Sequence, residues 1–198
     1  MEYWENRYAS GGNSGAGSRG KLKDWKWSQI TENIDMTSDI VDIGCGDMEF
    51  ISGHEPINYV GIDISKTIID MNRLAYPNYI FYNINADQYI PQLRAPVVLC
   101  MDLLFHIIDD DIYYKILDNI IKYSSKYIVI YSWDKNPIPL WNLKARYYGS
   151  NKYQKFRNFD NDVKRFESRG FELIVKSKVS YNKYGALYIF RKEVVNHD

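Results

Sequence analysis

The stretch DIVDIGCGDMEF, residues 39–50, ends an apolar, β-branched run in Gly44-Cys45-Gly46, with Asp42 before the glycines and Asp47 after them. Glycines one residue apart at the end of a strand let backbone approach a ligand closely. The dinucleotide fingerprint G-x-G-x-x-G needs a third glycine at position 49, where Glu49 stands, so this turn is not built for a pyrophosphate. A second acid, Asp63 in GIDIS, follows the turn by about 20 residues, the spacing of a carboxylate that accepts hydrogen bonds from ribose hydroxyls. Together they describe an adenosine-type ligand. In LCMDLLFHI, Asp102 closes a strand-like run and His106 lies on the turn after it. A carboxylate at a strand's carboxyl end points into the crevice, and an imidazole beside it can take a proton. His54 and His197 stand outside any such group and are read as solvated.

These residues need a scaffold that gathers strand ends. Strand-like runs fall at 39–43, 58–62, 78–84, 96–101 and 126–132, with helical patterns between most of them. The clearest helices are 65–76, where Ser65 can cap the first turn, and 109–124. A further helix is expected over 21–34 and a short one over YWENRY. Such alternation predicts a mainly parallel sheet with helices on both faces. After residue 133 the rhythm changes to an irregular insert, 133–158, then a helix at about 159–169 ending at Gly170. FELIVKSKVS and GALYIFRKE, joined by YNKY, read as an antiparallel hairpin. The fold class is α/β: a Rossmann-like, doubly wound, mainly parallel sheet with a C-terminal antiparallel strand pair. No repeat or linker divides the chain, so one domain over 1–198 is expected, with 1–36 an N-terminal helical and glycine-rich lid segment.

Composition narrows the partners. Lys plus Arg number 25 and Asp plus Glu number 25, so no global positive field attracts nucleic acid or an anionic membrane. Nucleic acid would need a local patch, for which Lys21, Lys23 and Lys26 with Lys144, Arg146, Lys152, Lys155 and Arg157 are the candidates. Cys45 and Cys100 match no metal-ligand spacing, and no metal is expected. No stretch approaches the roughly 20 apolar residues of a membrane span, and MEYWENRY is not a signal peptide. A soluble, cytoplasmic protein is expected.

VDIGCGD, GIDIS, NINADQY and LCMDLLFHI stand in the order and spacing of the class I S-adenosylmethionine-dependent methyltransferases, and the chain resembles that family over nearly its whole length. YWENRYASGGNSGAGS further resembles the N-terminal segment of a bacterial subgroup of that family. The resemblance implies S-adenosyl-L-methionine as cofactor. Asp42, Gly44 and Gly46, with Cys45 and Asp47 of the same turn, would hold its methionine portion, Asp42 through the ammonium group. Asp63 would take the ribose hydroxyls and Ile64 would pack on the adenine face. The adenine amino group would meet Asn85, the backbone of Ala86 or Asp87, with Asp87 preferred. Asp102 would face the reacting end of the cofactor, and His106 would either serve as a base or only pack on its helix turn. Phe105 stands where the family often has an acid.

Trp4, Arg7 and Tyr8, followed by SGGNSGAGS, would form a lid over the cofactor, with Arg7 or the Ser14 and Ser18 region near its carboxylate. The 133–158 insert, with Trp141, Arg146, Tyr147, Tyr148 and Arg157, would border the acceptor. A sulfonium methyl is already activated, so the protein must align donor and acceptor, exclude water and remove a proton where the acceptor carries one. The expected acceptor is a small molecule, a glycan or something of similar modest size. RNA or protein acceptors, or a cofactor-binding module without turnover, are the alternatives. Glu49 and the antiparallel ending disfavour a nicotinamide oxidoreductase.

Overall fold

A computed structural model describes residues 2–35, 38–135, 150–151, 153–182 and 184–193. Five parallel strands, β1 (Ile40–Ile43), β2 (Tyr59–Asp63), β3 (Ile80–Asn83), β4 (Ala95–Met101) and β5 (Ser124–Trp133), carry the site. A two-residue pair, β6 (Ser150–Asn151) and β7 (Gln154–Lys155), lies apart from them. The antiparallel hairpin is β8 (Phe171–Ser177) and β9 (Gly185–Lys192), with β9 paired to β5. The sheet order is β3-β2-β1-β4-β5-β9-β8. Strand order therefore reverses between β1 and β4, which places the ligand crevice beyond their carboxyl ends.

Side chains alternate across the pleat, and the central strands are buried on both faces because helices cover each. Val97 and Leu99 of β4 pack with Trp27 and Ile30 of helix α2 (Gly20–Thr31) and with Ile68 and Ile69 of helix α3 (Lys66–Ala75). Val98 and Cys100 face the other way, toward Tyr113, Ile116 and Ile120 of helix α4 (Asp110–Tyr123) and Phe166 of helix α5 (Val163–Glu167). Caps set two of these starts: Ser65 Oγ accepts from Ile68 N at 3.3 Å and Asp109 Oδ1 from Ile112 N at 2.9 Å.

One stretch differs from the sequence reading. The helix expected over 159–169 is split into a 3-10 turn, Phe159–Asp162, whose start is capped by Asn158 Oδ1 accepting from Asp160 N at 3.1 Å, and the short α5. Between β1 and β2 the chain runs as turns, and α2 from the N-terminal segment covers that face. Trp27 fixes the junction, donating from Nε1 to Phe50 O at 2.6 Å and stacking on both Phe50 and His54. His54 is exposed, as expected, but its ring lies flat on Trp27 at 4.1 Å. No helix among the described residues is long and apolar enough to cross a membrane.

Candidate functional site

The glycine turn leaves β1 in a conformation that side chains resist. Gly44 has φ 82° and Gly46 φ 54°, both left-handed. Gly44 N and Cys45 N donate to Ile62 O at 2.8 and 3.1 Å, tying the turn to β2. Asn72 of α3 donates from Nδ2 to Gly46 O at 2.7 Å from a buried position. A Cβ at Gly46 would fall 2.2 Å from Ser14 Oγ and 2.9 Å from the Tyr8 hydroxyl, so the N-terminal segment closes directly onto this turn.

Two carboxylates stand beside the turn. Asp42 is 2 % exposed; its Oδ2 accepts from the Tyr59 hydroxyl at 2.8 Å, and its Oδ1 is buried without a partner. Burial pushes its pKa up to about 7. Asp63 accepts from Gly46 N at 3.0 Å on Oδ2 and from Ser65 N at 2.9 Å on Oδ1, which fixes its orientation. Burial raises its pKa as well. Both face a cleft of about 360 Å³, within the range of about 300–1,000 Å³ typical of small-ligand sites.

The same cleft collects most of the residues singled out from the sequence. Gly44, Cys45, Ile64, Asp102 and His106 line it, as do Trp4 and Tyr8 of the first helix, α1 (Glu2–Ala9). Asn85 and Ala86 reach its wall, whereas Asp87, preferred over them from the sequence, is not among its lining residues. Asp47 is occupied elsewhere: its Oδ2 accepts from Ser14 N at 3.0 Å and from Arg19 Nη2 at 2.8 Å. Arg7 also turns away, donating from Nε to Asn13 O at 2.5 Å, so it shapes the glycine loop rather than the cleft.

Asp102 is a non-glycine residue at φ 58°, held there by its N–H to Tyr131 O at 3.2 Å and by Lys26, whose Nζ donates to Oδ2 at 2.5 Å. His106 belongs to the 3-10 turn Leu104–His106. Its Nδ1 lies 3.0 Å from Tyr153 O and its ring meets Trp4 edge-on at 5.0 Å. Burial lowers its pKa, so the imidazole is neutral at pH 7 and able to accept a proton. Glu5 ties α1 to the start of α3, accepting from Ser65 Oγ and Thr67 Oγ1 at 2.6 Å each.

The basic patch does not assemble among the described residues. Lys26 is fully buried, Lys23 donates to Ser52 O at 2.7 Å, and Lys155 and Arg157 both bind Asp110, at 2.7 and 2.6 Å. Lys144, Arg146 and Lys152 lie outside the described residues, as do Trp141, Tyr147, Tyr148 and His197. Asn72 and Tyr59 escaped the sequence reading, and Lys26 entered it only as a candidate for a phosphate-binding patch. For Lys26 a signal existed: Leu22, Lys26 and Ile30 fall at i, i+4 and i+8, on one helical stripe.

The sequence matches no protein-family model and no curated protein. Solved structures share its fold. The magnesium protoporphyrin IX methyltransferase of Synechocystis, with bound S-adenosylhomocysteine, superposes with a TM-score of 0.62 at 15 % identity over 87 % of this chain and 80 % of that one. The N-methyltransferase NodS of Bradyrhizobium japonicum, also in complex with S-adenosylhomocysteine, gives 0.66 at 12 % over 87 % and 86 %. A TehB-like S-adenosylmethionine-dependent methyltransferase from Corynebacterium glutamicum gives 0.62 at 15 % over 96 % and 94 %. The seven-stranded sheet with its antiparallel C-terminal pair is thus the Rossmann-like methyltransferase fold.

Proposed function

We propose that the cleft binds S-adenosyl-L-methionine and that the chain transfers its methyl group to a small molecule, a glycan or a similarly modest acceptor. The observation that carries this reading is Asp42, a buried carboxylate with one oxygen unpartnered at the wall of the cleft. A ligand ammonium would supply the missing partner and restore the ionised form. Asp63, its orientation fixed by two backbone N–H groups, keeps lone pairs for the ribose hydroxyls. Ile64, Asn85 and Ala86 would border adenine, and Cys45 and the open backbone at Gly44 would adjoin the methionine portion. The neighbours named with bound S-adenosylhomocysteine support this choice of cofactor, and the magnesium protoporphyrin IX named as the substrate of one supports a small acceptor.

When bound, the cofactor supplies a methyl already activated on a sulfonium. Trp4 and Tyr8 roof the cleft and exclude water. Asp102 orients the acceptor at the end of β4, and neutral His106 accepts the proton of a hydroxyl or ammonium acceptor. Calorimetry tests the reading: S-adenosylhomocysteine should bind at micromolar levels, and Asp63→Ala should lose about 2 kcal/mol of that binding, the loss expected for a charged hydrogen-bond acceptor. Tight NADH binding with no S-adenosylhomocysteine binding would overturn it.

A further inference from the structure

Lys26 has a side chain with no exposure, yet its ammonium reaches two separate parts of the molecule. It donates to Asp102 Oδ2 at 2.5 Å and to Gly17 O at 2.9 Å, and it lies 3.7 Å from the centre of the Tyr131 ring. Taking an ammonium out of water is costly, and a methionine of similar length would fill the same space without that cost. The charge is therefore retained for what it joins. On one side is the 3-10 turn Ala16–Ser18 of the N-terminal segment; on the other is Asp102, a side chain carried on a left-handed residue that persists only where its surroundings over-determine it. The two are in close contact: a Cβ at Gly17 would sit 2.5 Å from the Asp102 carboxyl. With Oδ2 taken by Lys26, Oδ1 is the oxygen left for a ligand.

We propose that Lys26 is a positioning residue: by bridging Gly17 O and Asp102 Oδ2 it fixes the Asp102 carboxylate in the cleft and makes that placement depend on docking of the N-terminal segment. This rests on the cofactor reading of the cleft given above. The site is complete only when α2 and the turn before it lie in place, so the same ammonium closes the lid and aims the carboxylate at the end of β4.

A double-mutant cycle with S-adenosylhomocysteine as the probe tests it. Affinity by calorimetry and hydrogen exchange over residues 14–19 are measured for the wild type, Lys26→Met, Asp102→Asn and the double variant. Each single change should weaken binding about fivefold or more and speed exchange, and the double variant should be no worse than the weaker-binding single, since Lys26 acts on the ligand only through Asp102. Gly17→Ala leaves both charges in place but drives the turn off Asp102; it should give the same loss and faster exchange, and it decides the matter if Lys26→Met does not fold. Additive effects on affinity, or Gly17→Ala binding as the wild type does with unchanged exchange, would leave Lys26 a purely structural cation and overturn the proposal. Absence of binding by the wild-type chain would instead overturn the cofactor reading on which it rests.

Discussion

Asp42 is least comfortable when nothing is bound. Its ionised form is disfavoured by burial, and Tyr59 satisfies only one of its oxygens. The native state therefore holds a proton there up to about pH 7, whereas the unfolded chain releases it near the ordinary value of 3.8. Between those limits the native state binds more protons than the unfolded state, so this group makes stability fall as pH rises. Asp42→Asn should remove that fall and raise stability at pH 8 by on the order of 2–4 kcal/mol, read as a higher midpoint in urea. Ligand binding should run the opposite way. An ammonium binds the carboxylate, so S-adenosylhomocysteine affinity should rise about tenfold from about pH 6 to pH 8. Calorimetry in buffers of different ionisation enthalpy should show proton release at the lower pH. A pH profile that survives Asp42→Asn unchanged would remove Asp42 from the site.

At the scale of elements, the N-terminal segment carries more of its own fastening than its composition suggests. SGGNSGAGS reads as a loop that orders only against a ligand, yet Ser14 makes a reciprocal pair with Asp47: Ser14 N to Oδ2 at 3.0 Å and Asp47 N to Ser14 Oγ at 3.0 Å. Arg19 adds a third contact to the same carboxylate, at 2.8 Å. Asp47→Ala removes the acceptor of two of these bonds, and the loop should open more often by roughly 1–3 kcal/mol. Hydrogen exchange over residues 10–19 should accelerate in the free protein, while α4 keeps its protection. Unchanged exchange would mean that the loop is held by something other than this pair.

The strands, their parallel order and the C-terminal hairpin were legible because apolar periodicity reports burial directly. So were the glycine turn and Asp63, whose spacing is dictated by a strand, a turn and a second strand. Lys26, Asp47 and Asn72 were not, because their roles depend on which distant segment packs over them. Lys26 reads as a surface charge until α2 is laid across β4 and β5; Asp47 reads as a ligand contact until Ser14 arrives from 33 residues away.

For the molecule as a whole, charge decides between acceptor classes. The chain has 25 basic and 25 acidic side chains, so phosphate binding would require a face where basic groups are free of acids. All but Lys21 of the described residues on the face that the sequence offers are held by other groups. Lys26 is enclosed against Asp102, and Lys155 and Arg157 converge on Asp110, with Arg157 also lying 4.2 Å from the centre of the Tyr113 ring. Ion pairs of this kind must be broken before a phosphate can take the cation, and nothing in the cleft lining supplies a lysine or arginine among the described residues. Single-stranded or duplex RNA should accordingly bind weakly at physiological salt. A site making at least about 6 phosphate contacts would instead lose roughly a thousandfold in affinity between about 50 and 200 mM salt. Filter binding across that range, paired with transfer of labelled methyl from S-adenosylmethionine to RNA, separates the cases. Submicromolar, steeply salt-dependent binding accompanied by methyl transfer would make a nucleic acid the acceptor and displace the small-molecule reading.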